Sequence, residues 1–192
     1  SNERHEAFFD AYVMDVESRE SRRILQHDGT NYAVCFTPDE GRVLVRRSNT
    51  NLDRDIYLVG LEDGSTFHVT PHEGEAEYSS EHFSPDGKRL YLVSNESREF
   101  AALIGMDLAT RRMNVLAEEK WDIGPSALSE DGRRIAFAIN IDGYSELRIL
   151  DLIDGVTKRV QGIPPGVVEE PTWSHDGRFL AFTFSGATYN PD

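Results

Sequence analysis

Along this chain, short apolar runs recur behind a small polar turn. Three stretches share one order: Ser84-Pro-Asp-Gly-Lys-Arg-Leu-Tyr-Leu-Val93, Ser129-Glu-Asp-Gly-Arg-Arg-Ile-Ala-Phe-Ala138 and Ser174-His-Asp-Gly-Arg-Phe-Leu-Ala-Phe-Thr183. Glycine accepts the positive φ that a tight hairpin demands, so each Asp-Gly pair reads as a turn and each aromatic-aliphatic run as the strand behind it. A weaker copy, Thr37-Pro-Asp-Glu-Gly-Arg-Val-Leu-Val45, carries one extra residue before its glycine. The turn glycines Gly41, Gly87, Gly132 and Gly177 are spaced 46, 45 and 45 residues apart.

One unit displays the whole logic. A first strand lies around Ala127-Leu128 and a second runs from Arg134 to Ile141. Asp142-Gly143 turns into a third strand from Ser145 to Leu152, and Asp154-Gly155 into a fourth from Val156 to Val160. Asp-Gly turns between β-branched runs predict an antiparallel meander. In the last copy, Pro171 to Ser174 and Arg178 to Phe184 read as first and second strands. The third strands keep the period independently: Tyr12-Val-Met-Asp15, Tyr57-Leu-Val-Gly60, Ile104-Gly-Met-Asp107 and Ile149-Leu-Asp151 end 45, 47 and 44 residues apart. Helical patterning is nearly absent, and the best candidate, Ala117 to Asp122, is too short to stand alone.

A fixed period near ~45 residues with several strands per unit is the signature of a propeller blade. The expected fold is therefore all-β, a β-propeller fragment of four-stranded antiparallel blades with about 45 residues each. The array spans 1–192: residues 7–25 supply the last two strands of a blade, 32–71, 78–117 and 127–160 supply whole blades, and 171–184 supply the first two strands of another. Unpaired strand edges are avoided in folded proteins. Three arrangements would cover them. The ends meet within one chain, two chains pair as a homodimer through their open blade edges, or the array is part of a larger propeller. All three stay open at this point.

Composition narrows the partners. The net charge of −14 argues against a nucleic-acid partner, because phosphate backbones are held mainly by Lys and Arg. No apolar run approaches the ~18 residues of a membrane helix, so no membrane partner is expected. No leader is visible, and a cytoplasmic setting is the expectation. Cys35 is the only cysteine, which excludes an internal disulfide and leaves the redox compartment open. Its neighbours Val34 and Phe36 mark it as a small core residue.

The Ser-Pro-Asp-Gly-Lys/Arg turn with its aromatic-aliphatic strand resembles the repeat of TolB-like, WD40-like propellers. The same repeat occurs in the N-terminal propellers of prolyl-oligopeptidase-family (S9) serine peptidases, including acylaminoacyl and dipeptidyl peptidases. The text between turns resembles the peptidase group more: Val93-Ser-Asn-Glu-Ser-Arg-Glu-Phe-Ala101, Trp121-Asp-Ile123 and Phe137-Ala-Ile-Asn-Ile-Asp-Gly-Tyr144. The resemblance implies a parent with a C-terminal α/β-hydrolase domain, peptide substrates, and a propeller that screens them by size. The alternative it leaves is a TolB-like module that docks a protein. Trp121-Asp122 precedes a first strand and is not the dipeptide that closes the third strand of true WD40 repeats.

The chain itself shows no catalytic machinery. A hydrolase nucleophile needs Gly-x-Ser-x-Gly on a strand-to-helix elbow, and Gly124-Pro-Ser126 and Gly143-Tyr-Ser145 both lack the closing glycine. His68 and His72 have zinc-like spacing, but Pro71 breaks any helix between them, so they are expected as solvent-facing strand-end residues. The carboxylates Glu73, Glu75, Glu77 and Glu81, Glu118-Glu119 and Glu169-Glu170 are expected in the connections between blades, on one rim, as solvated acidic loops. Asp107, Asp142 and Asp154 are explained by turn chemistry and lack a calcium-loop pattern. Asn95-Glu-Ser97 fits a glycosylation acceptor without secretory context, and Tyr189 and Asn190 support no inference. No catalytic, cofactor-binding or metal residue is assigned, and no cofactor is expected. Phe36, Phe83, Leu128 and Trp173, on first strands, are expected nearest the central axis.

Overall fold

The structure is a computed structural model that describes residues 2–186. Tyr189 and Asn190 lie outside them. The described residues form strands and turns with no helix. Sixteen strands fall into five antiparallel sheets. β1 (Ala11–Met14) pairs with β2 (Ser21–Leu25). The first four-stranded sheet runs β3 (Thr30–Phe36), β4 (Arg42–Ser48), β5 (Arg54–Gly60) and β6 (Thr66–His68). The second runs β7 (Tyr78–Phe83), β8 (Arg89–Ser94), β9 (Ala102–Asp107) and β10 (Met113–Ala117). The third runs β11 (Ile123–Leu128), β12 (Arg134–Ile141), β13 (Tyr144–Asp151) and β14 (Thr157–Arg159). Last, β15 (Val167–Trp173) pairs with β16 (Leu180–Ser185).

The chain divides into two compact units, one reaching to Tyr78 and including Leu108–Arg111, the other formed by Ser79–Asp107 and the residues from Arg112 onward. Each buries apolar side chains between successive sheets. In the first, Ala11, Val43, Val45 and Val59 make a small core. In the second, Tyr91, Val93 and Leu103 of one sheet meet Ile123, Ile135, Phe137 and Ile139 of the next. Ala138, Leu147 and Val168 carry the packing on to β15.

The turn motif earns its residues through hydrogen bonds. Ser84 Oγ donates to Asp86 Oδ1 at 2.6 Å and accepts the Arg89 amide at 2.9 Å, while Asp86 Oδ1 accepts the Lys88 amide at 3.1 Å. Ser129 with Asp131 and Ser174 with Asp176 repeat this set. Each serine holds its aspartate below the usual carboxylate range by that hydrogen bond.

Two readings of the sequence need correction. The Thr37 turn has no extra residue: Thr37 Oγ1 donates to Asp39 Oδ1, and the Arg42 amide donates to Thr37 Oγ1, the same span as Ser84 to Arg89. Glu40, with φ +56°, takes the left-handed place that Gly87 holds at φ +67°, and Gly41 stands where Lys88 does. The first strands also start earlier than their apolar runs suggest. β11 opens at Ile123 and β15 at Val167, each interrupted by a register shift, between Ile123 and Ser126 and between Glu169 and Thr172. A bulge adds a residue that breaks the alternation, which hides the upstream half of the strand.

Candidate functional site

The densest group of interacting ionisable side chains in the first unit surrounds Asp55, and strand register assembles it. Arg47 on β4 lies directly opposite Asp55 on β5, and Tyr57 opposite His68 on β6. Arg47 Nη2 meets Asp55 Oδ2 at 2.7 Å, and His68 Nε2 meets Asp55 Oδ1 at 2.7 Å. Asn49, in the turn between β4 and β5, donates to Asp55 Oδ2 at 2.9 Å and to Asp53 Oδ2 at 2.8 Å. The His68 ring stacks on Tyr57 at 4.5 Å, and the Arg47 guanidinium sits 5.0 Å over the same tyrosine.

His72 completes the group from the chain leaving β6. Its Nε2 is 2.9 Å from Asp53 Oδ1, its Nδ1 is 2.9 Å from the Thr70 carbonyl, and Asp55 Oδ1 lies 3.7 Å from Nδ1. Both ring nitrogens therefore face acceptors, and only the imidazolium, with two N–H donors, satisfies both. Burial alone would push His72 down; the Thr70 carbonyl, the Asp53 hydrogen bond and the two carboxylate charges outweigh it and hold the imidazole above its ordinary range. Burial would likewise raise Asp55. Hydrogen bonds from Asn49 and His68, with the His68 and Arg47 charges, keep it below the usual carboxylate range.

In the second unit, first strands of consecutive blades bond to one another at nearly one-period separations. His82 Nε2 on β7 donates to the Ser126 carbonyl on β11 at 2.9 Å, and the Ser126 amide donates to Ser80 Oγ at 3.3 Å. Trp173 Nε1 on β15 donates to the Ala127 carbonyl at 3.0 Å. Arg134 stacks 4.7 Å over Trp173 and donates to the Gly177 carbonyl at 2.7 Å, clamping one turn to the next.

No protein-family model matches the chain. It is 24% identical over 190 residues to dipeptidyl aminopeptidase BIII of Pseudoxanthomonas mexicana, covering 97% of this chain and 27% of that protein. It is 27% identical over 164 residues to a TolB homolog of Chlorobium chlorochromatii, covering 83% of this chain and 36% of the homolog. The crystal structure of TolB from Acinetobacter baumannii superposes with a TM-score of 0.75 at 22% identity, over 93% of this chain and 44% of TolB. These are TolB-like propeller blades. The likeness to both TolB and peptidase propellers, read from the turns and the text between them, is borne out. The chain spans about a quarter to a third of the length of the curated relatives it matches.

On the TolB-like blades the sequence-predicted residues land unevenly. His68 does end β6, with 35% of its side chain exposed, whereas His72 lies beyond the strand with only 5% exposed; neither ring is free, since both are bound to carboxylates. The carboxylates do not share one set of connections. Glu169 and Glu170 lie inside β15 at its bulge, Glu170 with φ +49°, and Glu81 is buried on β7. Glu119 bonds to Arg148, and Glu77 sits 3.9 Å from Arg54. Glu73, Glu75 and Glu118 do lie in connections and are exposed. Ser126 and Ser145 sit on strands, and Ser145 Oγ accepts the Val168 amide at 2.9 Å, a pin between β13 and β15. Cys35 is half-buried beside the β3 bulge rather than in the core. Among the described residues, no group of three or more His, Cys, Asp or Glu side chains is arranged to hold a metal.

Proposed function

We propose that this chain is the non-catalytic propeller portion of a prolyl-oligopeptidase-family serine peptidase that hydrolyses short peptides. Its task is to control access to a hydrolase domain elsewhere in the parent. The alignment with dipeptidyl aminopeptidase BIII carries the reading: it runs over 97% of the chain yet occupies 27% of that peptidase. Strand serines support a scaffold role, since Ser80 Oγ on β7 and Ser145 Oγ on β13 are engaged in holding neighbouring strands. The acidic connections, with Glu73, Glu75 and Glu118 exposed, suit a surface met by peptides bearing free amines.

The test is an assay of the full-length parent against chromogenic dipeptide substrates and against a folded protein, beside the 192-residue chain alone. Hydrolysis of the short substrates only, abolished by a serine-directed inhibitor and absent from the isolated chain, is the expected result. A parent without peptidase activity, or activity in the isolated chain, overturns the reading. A second reading, a TolB-like module that docks a protein partner, is favoured by the 27% identity to the TolB homolog. A parent sequence lacking a Gly-x-Ser-x-Gly elbow downstream of the blades would favour it.

A further inference from the structure

The segment Pro71–Glu75 leaves the end of β6 and returns to β7 as an exposed turn with its ends fastened. At one end the Val69 amide donates to the Ile56 carbonyl at 2.8 Å, and the Ile56 amide donates to Thr70 Oγ1 at 2.9 Å. At the other, the Arg54 amide donates to the Ala76 carbonyl at 2.8 Å. Between these anchors Pro71, Glu73, Gly74 and Glu75 are exposed. His72 alone turns inward, with 5% of its side chain exposed, against Asp53 with 19% and Asp55 with 6%.

We infer that His72 is a charged latch: as an imidazolium it holds this turn onto β5, and loss of its proton frees the turn while the two anchors stay closed. The geometry gives the reason. Nε2 faces a carboxylate oxygen and Nδ1 faces the Thr70 carbonyl, so a neutral ring aims a lone pair at one acceptor or the other and loses one of its two bonds. The surrounding charges favour the cation. Asp53 faces the ring from the turn between β4 and β5, and Asp55 faces it from β5. Arg47 from β4 and His68 from β6 already share Asp55. Tyr78, at the start of β7, sits 5.5 Å from the ring, while Arg54 and Glu77 meet each other at 3.9 Å. Removing the His72 proton leaves Asp53 without its cationic partner.

The turn carries Glu73 and Glu75, so the latch governs where two exposed carboxylates stand on this connection. Linkage sets the size of the effect. Above the ordinary imidazole value of about 6.5, each further pH unit weakens the latch about tenfold until the latched His72 itself loses its proton.

Hydrogen exchange read by mass spectrometry tests this on the intact protein, at several pH values from 5 to 9 with intrinsic rates corrected. Exchange at the His72 ring carbon in the same samples reports its titration. Protection of the 72–75 amides should fall about tenfold per unit from about pH 6.5 up to the His72 titration and level off above it, while the amides of Arg54, Ile56 and Val69 hold theirs. In His72→Gln the turn should be open at every pH, with those three amides still protected. A His72 that titrates at or below the ordinary value overturns the latch. So does turn protection that ignores the His72 titration, and so does a His72→Gln turn protected as in the unsubstituted protein.

Discussion

Gly132→Ala is the substitution that reads blade-to-blade packing most directly. Gly132 has φ +69°, and a Cβ built on it would stand 2.5 Å from Pro85 Cδ and 2.8 Å from Pro85 Cγ, in the turn of the preceding blade. Two costs follow. Holding alanine in the left-handed region costs about 1–2 kcal/mol. Forcing a methyl against a rigid proline ring adds about 1–3 kcal/mol of overpacking. Gly155→Ala separates them, because Gly155 has nearly the same φ, +71°, and nothing within 4 Å of the built Cβ. It should lose only the conformational part.

The assay is urea unfolding followed by tryptophan fluorescence. Trp121 and Trp173 both lie in the same unit as Gly132, so the signal reports the packing at stake. Gly132→Ala should lose at least about 1 kcal/mol more than Gly155→Ala. Adding Pro85→Ala to Gly132→Ala should return most of that excess, a coupling of about 1 kcal/mol or more between residues in contact. Equal losses at the two glycines, or strict additivity with Pro85→Ala, would refute the claim that the turn of one blade seats on the turn of the next.

Other outcomes follow from single features. Glu40→Gly should raise stability by about 1 kcal/mol in thermal melts, because Glu40 holds φ +56° without a glycine, while Gly41→Lys should be near neutral, its built Cβ meeting the Asp39 carboxylate at ordinary contact distances of 3.5 Å and beyond. Arg134→Ala should cost about 1–3 kcal/mol in the same fluorescence assay, and Arg134→Lys should recover only part, since lysine keeps the charge but not the planar fork over Trp173. The pH profile of stability should carry two opposed histidine limbs. His72, raised, contributes below about pH 6.5 and loses its contribution as pH rises through its folded value. His82, lowered chiefly by burial, contributes above about pH 6.5 and loses its contribution as pH falls through its folded value. His72→Gln should flatten the alkaline limb and His82→Gln the acid one in thermal melts from pH 5 to 8; unchanged limbs would sink the assignment.

Legibility followed burial. The second strands β8 and β12 are covered on both faces, so they read as unbroken apolar runs, and the turn before each announces where it starts. The fourth strand β14 was read from the Asp154-Gly155 turn before it and not from apolar patterning, since all three of its residues are exposed and its pairing rests on main-chain bonds that any side chain permits. Glycine misled at the Thr37 turn for a related reason. The geometry that this turn shares with the other three is the span from the hydroxyl to the amide five residues on, and the left-handed residue within it is Glu40. The Asp55 cluster was hidden differently: His68 and His72 stand out by spacing, but their partners are fixed by register rather than proximity in sequence. Yet that register was recoverable. Pairing Ser48 with Arg54 across the five-residue turn forces Arg47 opposite Asp55, so a basic residue must meet a carboxylate at the root of the hairpin. The two histidines arriving from β6 then find a carboxylate already fixed in place, which is why their spacing serves an ion-pair network that fastens the chain as it leaves the blade.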